Sequence, residues 1–190
     1  MKTRTNALFL LALLAAFACK EQSTEPEMEA HPAISSQQEL FDKNVATIQA
    51  FFQAHMEEDL EAQRALLADT MRYSPPAYNG NHWEGKAELL EVLQAYHEHF
   101  DNIVWHEGIV MPAATAAAYW SGSVFPEGIA TNHPGALRVY GTWTATHTES
   151  GKEVGVKFFS NMALNADGKI VQASDYFDVH GLQAQLLEGE

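Results

Sequence analysis

The sequence predicts an α+β domain in which three N-terminal helices pack in the concave face of a curved, mostly antiparallel sheet, a cone-shaped α+β barrel. Three observations lead there. Apolar residues recur at helical spacing as far as Phe100, the period then changes to two, and turn signals after the change sit at hairpin spacing. Helices first and strands afterwards place the helices together against one sheet face.

The chain opens with Lys2 and Arg4 and then an unbroken apolar run, Ala7 to Phe17. That is the layout of a secretory leader, and it is too short to cross a bilayer as a permanent helix. Residues 1–18 are read as this leader. From Lys20 to Ser36 the chain is rich in Glu, Gln, Ser and Pro, which bury too little surface to order themselves. Residues 19–36 are therefore read as a tether, and 37–190 as one domain. Loss of Lys2 and Arg4 with the leader leaves nine basic against 25 acidic residues. Such a surplus of negative charge repels phosphate backbones, so nucleic acid is not an expected partner.

Ser36-Gln-Gln-Glu39 has the form of a capping box, and Phe41, Val45, Ile48 and Phe52 follow at helical spacing. Asp59 is placed to cap a shorter helix ending near Ala68. An extended piece around Met71–Tyr73 stops at Ser-Pro-Pro. Glu88 to Phe100 forms the third helix, with Leu89, Leu93, Tyr96 and Phe100 on one face. Strands are expected over 103–111, 116–125, 137–148, 153–164 and 170–178, with a breaker-rich loop over 126–135.

Two hairpins assign the sheet faces. A two-residue turn at Ser150-Gly151 pairs His147 with Val154, Ala145 with Val156 and Trp143 with Phe158. A second at Asp167-Gly168 pairs Leu164 with Val171, Met162 with Ala173 and Ser160 with Asp175. Both put Val139, Trp143, Ala145, Val156, Phe158, Met162, Leu164, Val171 and Phe177 on one face. Arg138, Tyr140, Thr142, Thr144, Lys157, Asn161, Gln172, Ser174 and Tyr176 take the other, which offers a surface for a homodimer or another partner.

Two resemblances follow from these residues. The helix order, Gly141-Thr-Trp-Thr-Ala-Thr-His-Thr148 and Gly168-Lys-Ile-Val…Asp175…Asp178…Gly181-Leu182 resemble a SnoaL-like domain of the nuclear transport factor 2-like superfamily over roughly 40–188. The resemblance implies a cone with an apolar pocket at its open end, and an Asp175 placed where SnoaL-type polyketide cyclases carry an acid/base aspartate. Ala16-Phe17-Ala18-Cys19 resembles the bacterial lipobox. This implies acylation of Cys19, the only cysteine in the chain, and export to the periplasm or cell surface, with the outer membrane favoured.

Asp175 is the one acidic group on an apolar row. It is either the working carboxyl of a pocket or a structural acid bonded to Ser160. Trp143, Phe158, Met162, Phe177, Trp120 and Trp83, with Ser160 and His97, are the candidate lining of a pocket for a small apolar molecule. Asp178 is better read as a helix cap. No metal and no cofactor are expected: His97 and His99 diverge on their helix, and Gly-rich phosphate loops and Gly-x-Ser-x-Gly are absent from the sequence. A lone inward carboxyl favours binding over turnover, with a cofactor-free cyclase or isomerase acting through Asp175 as the alternative.

Overall fold

Asn44, Ile48, Phe51, Phe52 and His55 recur at intervals of three and four, and all five are buried along helix α1 (Pro32–Met56). The computed structural model describes residues 32–108, 119–121, 123–124, 130–131 and 133–187. Helix α1 starts upstream of Ser36, so the expected capping box does not begin it. Proline fits the first helical turn, where its missing N–H has no intrahelical partner to lose. Helix α2 (Leu60–Leu66) does open on its expected cap: the Asp59 carboxylate accepts from the Ala62 N–H at 2.8 Å. Helix α3 (Lys86–His99) buries Leu89, Leu90 and Leu93, and its Glu88 carboxylate reaches back to the Gly85 N–H at 2.9 Å.

The strands are β1 (Leu67–Ser74), β2 (Phe100–Glu107), β3 (Tyr119–Ser121), β4 (Ser123–Val124), β5 (Ala130–Thr131), β6 (Ala136–His147), β7 (Glu153–Leu164) and β8 (Ile170–Tyr176). One mixed sheet runs in the order β1-β8-β7-β6-β2, with β3 also on β6, while β4 and β5 pair with each other. Among the described residues only β1 and β8 run parallel; the other pairs are antiparallel. Pro75 and Pro76 end β1 because they have no N–H for the ladder. Strand β8 therefore runs two residues past its last β1 partner, the Ser74–Ser174 pair, and the first of them is Asp175. Helix α4 (Val179–Leu187) is capped by Asp178, which accepts from the Gly181 N–H at 2.8 Å. A side chain at 181 would overlap that carboxylate.

The two hairpin registers differ from expectation in instructive ways. At the first, His147 N–H bonds the Lys152 carbonyl across a four-residue turn. Ala145 thus pairs with Val154, Trp143 with Val156 and Phe158 with Gly141, a slip of two residues from the expected pairs. An even slip preserves the faces, because side chains alternate with period two. At the second, Asn165 and Lys169 close a three-residue loop with Gly168 at φ +73, and Leu164 pairs with Ile170 rather than Val171. A bulge beside Leu164 restores the register, so Met162 still pairs with Ala173 and Ser160 with Asp175. The bulge also buries Ile170 on the inner face where Val171 was expected, leaving Val171 half-buried.

Val139, Trp143, Ala145, Val156, Met162 and Leu164 are buried between sheet and helices, and Phe158 and Phe177 pack partly buried against them. On the outer face, the rings of Tyr140, Phe159 and Tyr176 follow one another across β6, β7 and β8 at 4.6 and 5.6 Å.

The inner aromatic cluster needs a gap in the sheet. The Trp105 indole lies over Gly141 and stacks on Phe52 at 4.2 Å and 8° between planes, with Phe158 edge-on to both. A Cβ at 141 would overlap that indole and stand 2.6 Å from the His106 carbonyl oxygen, which is backbone and cannot step aside. Gly141→Ala is therefore expected to destabilise the domain by about 1–3 kcal/mol in urea unfolding. An unchanged midpoint would show that the cluster does not depend on this contact.

Candidate functional site

Sheet and helices do not close completely on one another. Between them lies a cavity of about 240 Å³ whose wall is mostly aliphatic and aromatic. Strands β6 to β8 contribute Trp143, Val156, Phe158, Met162, Ala173 and Asp175, with Phe177 just beyond them. Helices α1 and α3 contribute Phe51, Phe52, His55, Leu89, Leu93 and Tyr96, and Pro75-Pro76-Ala77 stand at the end of β1. The few polar groups fall into two sets.

The first set surrounds Asp175. Cross-strand pairing puts it in one row with Ser160 and Val139, both fully buried. Tyr73 enters from β1, held by two 2.8 Å backbone bonds to Glu84. Asp175 is partly buried as a residue, but its Oδ1 and the Ser160 hydroxyl are both sealed from solvent; the Ser160 and Tyr73 hydroxyls turn toward the carboxyl. Burial pushes the Asp175 carboxyl up to about 6, with the Ser160 and Tyr73 hydroxyls partly opposing the rise. Burial first, and then the neighbouring Asp175, raises Tyr73 far above its ordinary value; the same causes push Tyr96 up to about 12. Two phenols that stay protonated thus face one carboxyl.

The second set is a chain of three rings. Trp143 Nε1–H donates to His55 Nε2 at 3.2 Å, and His55 Nδ1 lies 3.0 Å from His97 Nε2. An indole only donates, so His55 Nε2 must be the acceptor and its proton sits on Nδ1, which donates to His97. Burial, and after it the neighbouring His97, lowers the His55 pKa to about 3. Burial also lowers His97, against an opposing pull from Glu58. The chain joins β6, α1 and α3, and both nitrogens of His55 are taken.

Of the residues singled out in the sequence, Asp175, Trp143, Phe158, Met162 and Phe177 line the cavity. Ser160 lies behind the wall, facing Asp175. That placement of Ser160 corrects the expectation that it lines the pocket, and two others do the same. Trp83 is 42% exposed and its ring lies under the Arg72 guanidinium at 4.9 Å, because the loop after Pro76 carries it outward. His97 does not line the cavity; it reaches the wall only through His55. The side chain of Trp120, Cys19 and residues 126–129 and 132 of the loop lie outside the described residues. Sequence reasoning missed His55, Tyr73 and Trp105 as cavity residues. Each carried a signal: His55 continues the Ile48–Phe52 stripe, while Tyr73 and Trp105 alternate with Met71 and Ile103.

The fold recurs in solved structures. A Xanthomonas campestris protein assigned as a polyketide cyclase is 15% identical at a TM-score of 0.54, covering 77% of this chain and 98% of that one. An NTF2-like protein of Burkholderia thailandensis is 16% identical at 0.52, covering 76% and 97%. An LEH-like epoxide hydrolase of M. tuberculosis is 19% identical at 0.51, covering 78% and 92%. The cone fold of NTF2-like proteins is therefore the fold of this chain. No protein-family model matches the sequence, and no curated protein does.

The carboxyl makes a prediction about stability. Between pH 3.8 and about 6 the native state holds the Asp175 proton more tightly than the unfolded chain does, so this group's contribution falls as pH rises. His55 works in the opposite sense between 6.5 and about 3, since its folded pKa is depressed and acid favours the unfolded chain. The difference between wild type and Asp175→Asn isolates the carboxyl. The variant is expected to be more stable at pH 7.5 by on the order of 2–3 kcal/mol, with the gap closing near pH 4. A gap independent of pH in urea melts would contradict a desolvated carboxyl.

Proposed function

We propose that this chain is an exported, lipid-anchored domain that binds a small, mostly apolar molecule in the cavity beneath its sheet. The observation that carries the reading is the cavity itself: about 240 Å³ walled by aromatic and aliphatic side chains, with polar groups confined to two places. Asp175 near neutrality also suits proton transfer, as in a cofactor-free cyclase or isomerase. Binding is favoured because His55 in the wall has both nitrogens engaged, and the Tyr73 and Tyr96 phenols stay protonated, so neither offers a second base.

The test is fluorescence titration of the chain from Lys20 to Glu190, which keeps every described residue, with the neutral probe N-phenyl-1-naphthylamine. Saturable enhancement is expected, and Ala173→Phe should abolish it by filling the cavity from its wall. No enhancement in the wild type, or full binding by a folded Ala173→Phe, sinks the reading.

Anchoring rests on Lys2, Arg4, the Ala7–Phe17 run and Cys19. Among the described residues no helix is long and apolar enough to cross a membrane. In a bacterial host fed labelled palmitate, the wild type should take up label and sediment with membranes, whereas Cys19→Ala should do neither. Equal labelling of both would remove Cys19 as the anchor.

A further inference from the structure

The cavity holds a carboxyl with no counter-charge. Among the described residues, Ser160 and Tyr73 hydroxyls face Asp175, while no lysine, arginine or histidine pairs with it. Its Oδ1 is sealed from solvent, and Asp175 itself borders the cavity. The wall's own basic group cannot serve, because His55 spends one nitrogen on Trp143 and the other on His97 and is held neutral by that geometry. Buried charges in proteins are normally paired or bound to metal, and an unpaired one is costly to keep. Here the missing partner is a cation.

The rest of the wall has the complementary chemistry. Tyr73, Tyr96, Trp143, Phe158 and Phe177 border the same space as Asp175. Aromatic faces carry negative potential and attract ammonium groups, most strongly where water is excluded. The chain carries a net charge of −14, so its overall field also draws cations. A ligand carbonyl fits less well: it would bring an acceptor to a carboxylate, which itself can only accept.

We propose that the cavity selects a ligand carrying a protonated amine or quaternary ammonium on an apolar body, with Asp175 as its counter-ion and the surrounding rings as its cage. This rests on the reading of the cavity as a binding site and narrows the ligand class. Binding such a cation removes the unpaired charge, and below neutrality it expels the proton that the buried carboxyl otherwise keeps.

The experiment compares 2-phenylethylamine with 2-phenylethanol, equal in size and differing in charge, by calorimetry on the Lys20–Glu190 chain at pH 7.5. The amine is expected to bind at least about tenfold tighter. In Asp175→Asn, checked for folding by circular dichroism, the two should bind alike. Near pH 6, titrations in two buffers of different ionisation enthalpy should show proton release with the amine and none with the alcohol.

Equal or tighter binding of the alcohol to the wild type overturns the proposal, as does an amine preference that survives Asp175→Asn. Failure of both compounds while N-phenyl-1-naphthylamine still binds overturns it too, and leaves the binding reading standing. Failure of all three removes both.

Discussion

One row of three residues across the sheet, Val139–Ser160–Asp175, fixes what the interior of this domain can be. Strand β7 is hydrogen-bonded along both edges, so Ser160 has no freedom to turn over, and period-two alternation commits its partners to the same face. Ser160 is small. A larger side chain there would press on Asp175 and the cavity behind it, whereas serine leaves the carboxyl room and turns only a neutral hydroxyl toward it. The polar side chains that line the cavity are grouped around this row or around the Trp143–His55–His97 chain.

The two polar sets divide the work. Trp143, His55 and His97 tie the sheet to α1 and α3 by donor-to-acceptor bonds that leave none of the His55 nitrogens unsatisfied. Buried networks of this kind hold geometry when every member is paired. The Asp175 set is the reverse, a carboxyl without a counter-charge met only by neutral hydroxyls, two of them phenols of raised pKa. Of these residues Asp175, Tyr73 and Tyr96 border the cavity and can meet a ligand, while Ser160 lies behind the wall. A satisfied scaffold and an unsatisfied pole in one cavity separate holding the wall from reading the occupant.

Likeness to the cyclase, the NTF2-like protein and the epoxide hydrolase stops at the fold. Identities of 15–19% carry the curved sheet and its helices, but not the chemistry of the cavity. Arg138, for example, alternates with buried Leu137 and Val139, so it stands on the outer face. The polar residues that do reach the interior have to be read from this chain's own register.

Much of that register was legible in the sequence. The change of period after Phe100, the Asp59 and Asp178 caps and the alternation of β6, β7 and β8 are local signals, and local physics honoured them. Even the misjudged turns left the faces intact. The first slipped by two residues, and at the second a bulge cancelled the one-residue offset of the longer loop, so Asp175 still met Ser160. Tertiary structure alone decided the company Asp175 keeps. Tyr73 comes from β1 through a parallel pairing with β8, Tyr96 from α3, and His55 meets His97 across 42 positions and Trp143 across 88. No periodicity encodes such meetings, because they depend on how helices settle on a curved sheet. The sequence by itself determined that one carboxyl points inward; only the packed structure decided that it does so unpaired, among rings.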